Sequence, residues 1–233
     1  MNQLLGIVGG LGPLASAEFL KTIYEFNVTD SEQEAPACIL YSNPIFPDRM
    51  NAILGVSDDL LVDLLVKSLE SLCQLRVSKI VIACITIHYF LPKVPEPLRE
   101  KVISLIDVVI KEVLDTKINH LLLCSVGARQ IGIFQNHPQW EMIEQYVIFP
   151  EEELQAEIQS WIYKLKKNCD KSYAVSFFDA LSNKYQVEAF IAGCTEFHIL
   201  AKHFLRIKDQ ERTYHIVDPL ITIAKNFQIF MDN

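Results

Sequence analysis

The chain has 233 residues, half of them hydrophobic, with 21 Lys and Arg against 29 Asp and Glu for a formal charge of −8. That acidic balance, with no cluster of basic residues, argues against a nucleic-acid or anionic-membrane partner, because neither polyanion meets an attractive field. The apolar fraction and the spread of aromatics exclude a disordered chain and bound the molecule to one large domain or two small ones. The partner expected is a small molecule or another protein.

Met1 to Gly10 carries no basic run and only a short apolar one, so it reads as neither signal peptide nor anchor. The longest apolar stretch, Ile80 to Ile87, is less than half of a membrane span. These features predict a cytoplasmic protein, in which six cysteines stay unpaired. In chain order, a strand over Leu4 to Val8 meets a glycine-rich turn, and a second strand spans Ala37 to Ser42. A helix follows over Asp58 to Leu75, striped by Leu61, Leu65, Leu69 and Leu72 and capped by Ser57 or Asp58. Next come a strand over Lys79 to Ala83, a helix over Arg99 to Leu114 and a strand over His120 to Ser125. Pro150 opens a helix with Glu151, Glu152 and Glu153 at its start and Lys164, Lys166 and Lys167 at its end, as the helix dipole favours. Strands over Val187 to Ala192 and His215 to Val217 complete an α/β pattern with a mainly parallel sheet.

One internal similarity stands out. Ile82-Ala83-Cys84 runs into Thr86 and His88, and Ala192-Gly193-Cys194 runs into Thr195 and His198. Two similar lobes follow, each a mainly parallel sheet flanked by helices and presenting one cysteine at the carboxyl end of a strand, where such sheets place their ligands. A chance match of five residues is the competing explanation. A cysteine at a strand-to-helix turn meets free N–H groups and the positive end of a helix, both of which favour thiolate. Two such thiols facing each other across a cleft could remove a proton from one face of a carbon and return it to the other. Two cysteines filling core space explain the pattern about as well, and the histidines four residues on also permit a Cys/His metal site, although the short Cys-x-x-Cys loops of structural zinc are missing. No metal or cofactor is therefore assigned. Cys38, Cys73 and Cys169 read as structural, and Cys124 sits near a strand end.

Gly10, Gly12 and Ala15 with Pro13 make a poor dinucleotide fingerprint, because Pro13 lacks an N–H and no carboxylate ends the next strand at Ser42 and Asn43. A small carboxylate suits this turn better. In the rigid loop from Asn43 to Met50, Arg49 could take a carboxylate in two parallel hydrogen bonds, or could simply pair with Asp48.

Together these segments resemble the aspartate/glutamate racemase family, cofactor-independent enzymes that use two cysteines. The resemblance is carried by Gly9-Gly10-Leu11-Gly12-Pro13-Leu14-Ala15, Pro47-Asp48-Arg49, Cys84-x-Thr86, Gly193-Cys194-Thr195-Glu196 and Asp218-Pro219, and spans nearly the whole chain. It implies pseudo-two-fold lobes with the cleft between them: residues 1–114 plus 218–233 with Cys84, and 115–217 with Cys194. It implies Cys84 and Cys194 as the acid/base pair, Arg49 on the substrate's side-chain carboxylate and Lys167 as a second cation. Gly10, Pro13, Thr86, Ser125, Thr195 and Glu196 become further substrate contacts. A homodimer acting on a small acidic amino acid, L- and D-aspartate or glutamate, is the expectation. Two departures bear on that: Ile85 stands where the family carries an asparagine, and Ala128 where it carries a threonine. They leave open an isomerase of another carboxylate, such as a dicarboxylate, or a binding protein that has lost its catalysis.

Overall fold

The structure, a computed structural model, describes residues 3–55, 58–206 and 214–232. The first lobe's strands are β1 (Leu4–Gly9), β2 (Ala37–Ser42) and β3 (Lys79–Ile82), and the second lobe's are β4 (His120–Leu122), β5 (Val147–Ile148), β6 (Ala189–Ile191) and β7 (His215–Val217). Between them run α1 (Pro13–Phe26), α2 (Arg49–Ile53), α3 (Asp58–Gln74), α4 (Glu96–Arg99), α5 (Leu105–Thr116), α6 (Val126–Gln130), α7 (Trp140–Ile143), α8 (Glu152–Lys166), α9 (Ala174–Tyr185), α10 (Phe197–Arg206), α11 (Pro219–Lys225) and α12 (Phe227–Asp232). Ser57, one of the two candidate caps of α3, lies outside the described residues.

Two parallel sheets result, in the order β2-β1-β3 and β5-β4-β6-β7. The apolar runs read as strands are these strands; the central ones, β1, β4 and β6, are buried on both faces, and the edge strands β2 and β7 are partly exposed. The two-residue strand β5 is too short to leave any periodicity in the sequence. The helix expected from Arg99 begins only at Leu105. Lys101 O accepts from Ile80 N and Ile80 O accepts from Ile103 N, so residues 101–103 run beside β3 as a short extended edge. Ser104 then caps α5 through Asp107 N.

Each lobe has an apolar cluster of its own, and a third is shared between them. The shared cluster takes Leu5, Ile7 and Val81 from the first sheet, Leu122, Ile191 and Val217 from the second, and Leu220, Ile223 and Phe227 from the last two helices. The terminal α11 lies against α1 and α5 of the first lobe, and α1 also meets α10 of the second. Burying that shared surface holds the two sheets in one arrangement, and with them the turns at their carboxyl ends. No helix among the described residues is long and apolar enough to cross a membrane.

Candidate active site

Cys84 stands two residues beyond the end of β3. Its amide donates to Ile82 O at 2.7 Å, a tight turn that lifts the side chain out of the strand and into a 3-10 segment over Thr86–Lys93. The residue shares an apolar cluster with Val8, Leu11, Phe46 and Ile87 and is 7% exposed. Burial pushes its pKa up, Arg49 pulls it back, Glu196 pushes it up again, and Lys166 lowers it. His88, four residues on, is spent on structure: Nδ1–H donates to Cys84 O at 3.0 Å and Nε2 accepts from Leu105 N at 3.2 Å. Burial lowers its pKa, so the ring stays neutral and keeps that tautomer.

Cys194 follows β6 and is half-buried. Its Sγ donates to Glu196 Oε2 at 2.8 Å, and Lys166 Nζ lies 3.6 Å from the other carboxylate oxygen. Burial, the Glu196 charge and the hydrogen bond to it push this thiol well above its ordinary value, with Lys166 opposing and Cys84 adding to the rise. His198 is buried too, with Nδ1 2.7 Å from Asp218 Oδ2 and Nε2 2.9 Å from Thr22 Oγ1. Among the described residues no group of three metal-ligating side chains assembles, and the nitrogens of both histidines are engaged by partners other than the cysteine sulfurs.

The two turns touch. Thr195 Oγ1 donates to Ala83 O at 3.0 Å, and Thr86 Oγ1 lies 3.5 Å from Ser125 Oγ, so the residues flanking the two thiols are bonded across the lobe junction. Each cysteine is close enough to Glu196 and Lys166 to feel both charges, and Cys194 also feels Cys84.

Arg49 opens α2, which Asp48 caps by accepting from Met50 N and Asn51 N; that carboxylate is therefore committed to the helix. The guanidinium is aimed by two carbonyls, Pro47 O and Leu11 O, each at 3.2 Å. Across the junction Met50 Sδ sits 2.1 Å from where a Cβ on Gly127 would be, so the glycine is what lets α2 lean on α6.

The lysine beside Glu196 is Lys166, and Lys167, expected as a second cation, is exposed at the end of α8. Helical spacing explains the exchange: Lys166 is four residues beyond buried Ile162, and Lys167 four beyond exposed Tyr163. Gly10, at φ +88, is buried under the Asn43 backbone, which a Cβ would approach to 2.1 Å. Its role is to let two turns meet, and Pro13 serves as the first residue of α1. The carboxylate beside the glycine turn belongs to the protein itself, since Glu196 Oε1 lies 2.6 Å from a Cβ built on Gly12. Ser125 Oγ accepts from Ala128 N as the cap of α6. Ile85 points into the shared core with Leu105 and Ala128, so the asparagine position of the resemblance is an apolar packing position here.

Gln155 and Gln159 carried no motif signal. From α8 they hold the turn after β4, Gln155 Nε2 on Cys124 O and Gln159 Oε1 on Val126 N, at 2.8 and 2.9 Å. Cys124 itself is enclosed, its thiol pushed up to about 12 by burial.

With this geometry in hand, comparison with known proteins places residues 8–219 in a family described as Asp/Glu/Hydantoin racemase. The chain belongs to that family. Its members are racemases, isomerases that invert a carbon centre. Similar folds include the Picrophilus torridus aspartate racemase, with a TM-score of 0.77 at 21% identity over 98% of this chain and 99% of that one. An aspartate racemase homologue from Pyrococcus horikoshii gives 0.67 at 19% identity over 100% of both chains. The glutamate racemase of Campylobacter jejuni gives 0.59 at 16% identity over 97% of this chain and 85% of that one. At these identities the likeness is one of fold, and the choice of substrate by this racemase-family chain is a matter for its own side chains.

Proposed function

We propose that the chain racemises a small acidic amino acid, aspartate before glutamate, by proton transfer between Cys84 and Cys194 without pyridoxal phosphate. The observation that carries this is the direct bond between the two cysteine turns, Thr195 on Ala83 O, with Arg49 and Lys166 both acting on Cys84. One sulfur enters as thiolate and takes the α-proton, and the other, as thiol, supplies a proton to the opposite face. In the reverse direction the roles exchange. Arg49 and Lys166 both favour thiolate at Cys84, and as the cations nearest the thiols they would also hold carboxylates and spread the charge of the carbanion. Ionising either thiol is costly in this buried setting, so the substrate's displacement of water and its contact with the two cations belong to the activation.

Ile85 favours a second reading, in which the fold and thiols act on a dicarboxylate that lacks the amine, since a donor for the α-carboxylate is missing at that position. Incubation of pyridoxal-free protein with each aspartate enantiomer in deuterated water distinguishes the two. Deuterium at the α-carbon together with the opposite enantiomer is the expected result; no exchange with any amino acid, but turnover of a dicarboxylate, selects the second reading.

A further inference from the structure

Glu196 is the anion of a site otherwise furnished with cations. Its side chain is 4% exposed, and its two carboxylate oxygens have different neighbours. Oε2 holds the Cys194 thiol. Oε1 has no hydrogen-bond partner. The Lys166 ammonium, 3.6 Å away, balances its charge from beyond hydrogen-bonding distance. A buried carboxylate oxygen left without a donor is unfavourable and calls for a donor that the protein itself does not supply. This oxygen does not face the interior of its own lobe. It lies at the junction, against Gly12 of the first lobe, where a Cβ would come within 2.6 Å.

We infer that Glu196 Oε1 is the acceptor for the substrate's α-ammonium, and that through it the cleft prefers an α-amino dicarboxylate to a dicarboxylate without the amine. This rests on the reading that the occupant is a small acidic amino acid. Such a molecule carries two carboxylates and one ammonium; the site offers two cations, Arg49 and Lys166, and one carboxylate. Binding is then an exchange of partners: Lys166 gives up its loose contact with Glu196 for a substrate carboxylate, and the substrate ammonium takes the vacated oxygen in a charge-assisted bond. An amine-free dicarboxylate draws Lys166 away in the same manner but leaves Oε1 buried with neither donor nor counter-charge. No bond to carbon is made or broken in this step, and Oε2 keeps its contact with Cys194.

Calorimetric titration of wild type and Glu196→Gln with aspartate and with succinate tests the assignment. Loss of one charge-assisted contact predicts an aspartate affinity about tenfold to a hundredfold weaker, with succinate unchanged or tighter. Gly12→Ala is the second variant: φ at Gly12 is 174°, which any residue adopts, and the added methyl meets the far end of a flexible side chain. It is expected to shift selectivity the same way with the carboxylate still present. An equal loss for both ligands, or an undiminished aspartate affinity in Glu196→Gln, overturns the assignment, as does wild type that binds succinate and not aspartate. Wild type that binds aspartate without racemising it, and shows the selectivity change, overturns the racemase reading and leaves the ammonium site standing. Wild type that binds neither ligand overturns both.

Discussion

The turns that carry Cys84 and Cys194 share a pattern of letters and differ in their bonding. The last ladder residues are Ile82 in β3 and Ile191 in β6, and the amides of Ala83 and Ala192 close the ladders on Val8 O and Val217 O. The next amide donates back two residues in both lobes, Cys84 to Ile82 O and Gly193 to Ile191 O. By hydrogen bonds, Cys84 is therefore matched by Gly193, and Cys194 stands one residue farther from its sheet. Gly193 has little room for anything else, because a Cβ there would lie 2.7 Å from Leu122 and 2.9 Å from Cys124. Two residues past each cysteine the chemistry parts as well: Thr86 is neutral, and Glu196 accepts the thiol proton of Cys194. The histidines follow suit. His88 ties its turn to the backbone of its own lobe, whereas His198 joins α10 to α1 and to the cap of α11. The shared pattern sets each thiol on a turn just past a parallel strand, and its local failure makes the two chemically unequal.

The largest stability effect should fall on the second turn. Asp218 is buried, holds His198 and caps α11 through Leu220 N and Ile221 N. Asp218→Asn keeps an oxygen for the cap but loses the charged partner of His198, and should lower unfolding free energy by about 1.5 to 3 kcal/mol in denaturant titration. A midpoint equal to wild type would mean that the His198–Asp218 pair does not tie the lobes.

A smaller and purely electrostatic difference concerns the order of ionisation. Both thiols are raised, so alkylation at either should climb with pH only above the range of a free cysteine. Arg49 opposes the burial of Cys84, whereas Glu196 adds both its charge and its hydrogen bond to the burial of Cys194, so Cys84 should ionise at lower pH than Cys194. Glu196→Gln removes an anion that disfavours both thiolates, and for Cys194 also the charge of the acceptor that holds its proton. Its alkylation curve therefore moves to lower pH, and by more at Cys194, as peptide mapping after iodoacetamide would show. Equal curves for the two thiols in wild type would restore the symmetric picture.

The parallel strands and the long helices were legible because they bury one face or two with a fixed period, and Ala37–Ser42 and His215–Val217 were readable to the residue. The start of α5 was not, since the Arg99 stretch has helical spacing but is captured by the edge of β3, a tertiary bond that no local pattern encodes. In the site, motif and chemistry single out the cysteines and Arg49 as candidates. The helical count that defines α8 sets Lys166 toward Glu196 and Lys167 toward solvent, a distinction that the resemblance alone does not draw. The contacts that join the lobes, Thr195 on Ala83 O and Met50 on Gly127, link residues far apart in sequence and left no trace in it.

At the centre stands the claim that the two thiols serve opposite faces of a single carbon. Serine in place of each cysteine, followed by proton NMR of each aspartate enantiomer in deuterated water, examines it directly. Cys84→Ser and Cys194→Ser should each lose racemisation by about two to four powers of ten, while each still exchanges the α-proton of one enantiomer, and a different one in the two variants. Near-normal racemisation by either variant, or exchange of the same enantiomer by both, would contradict it.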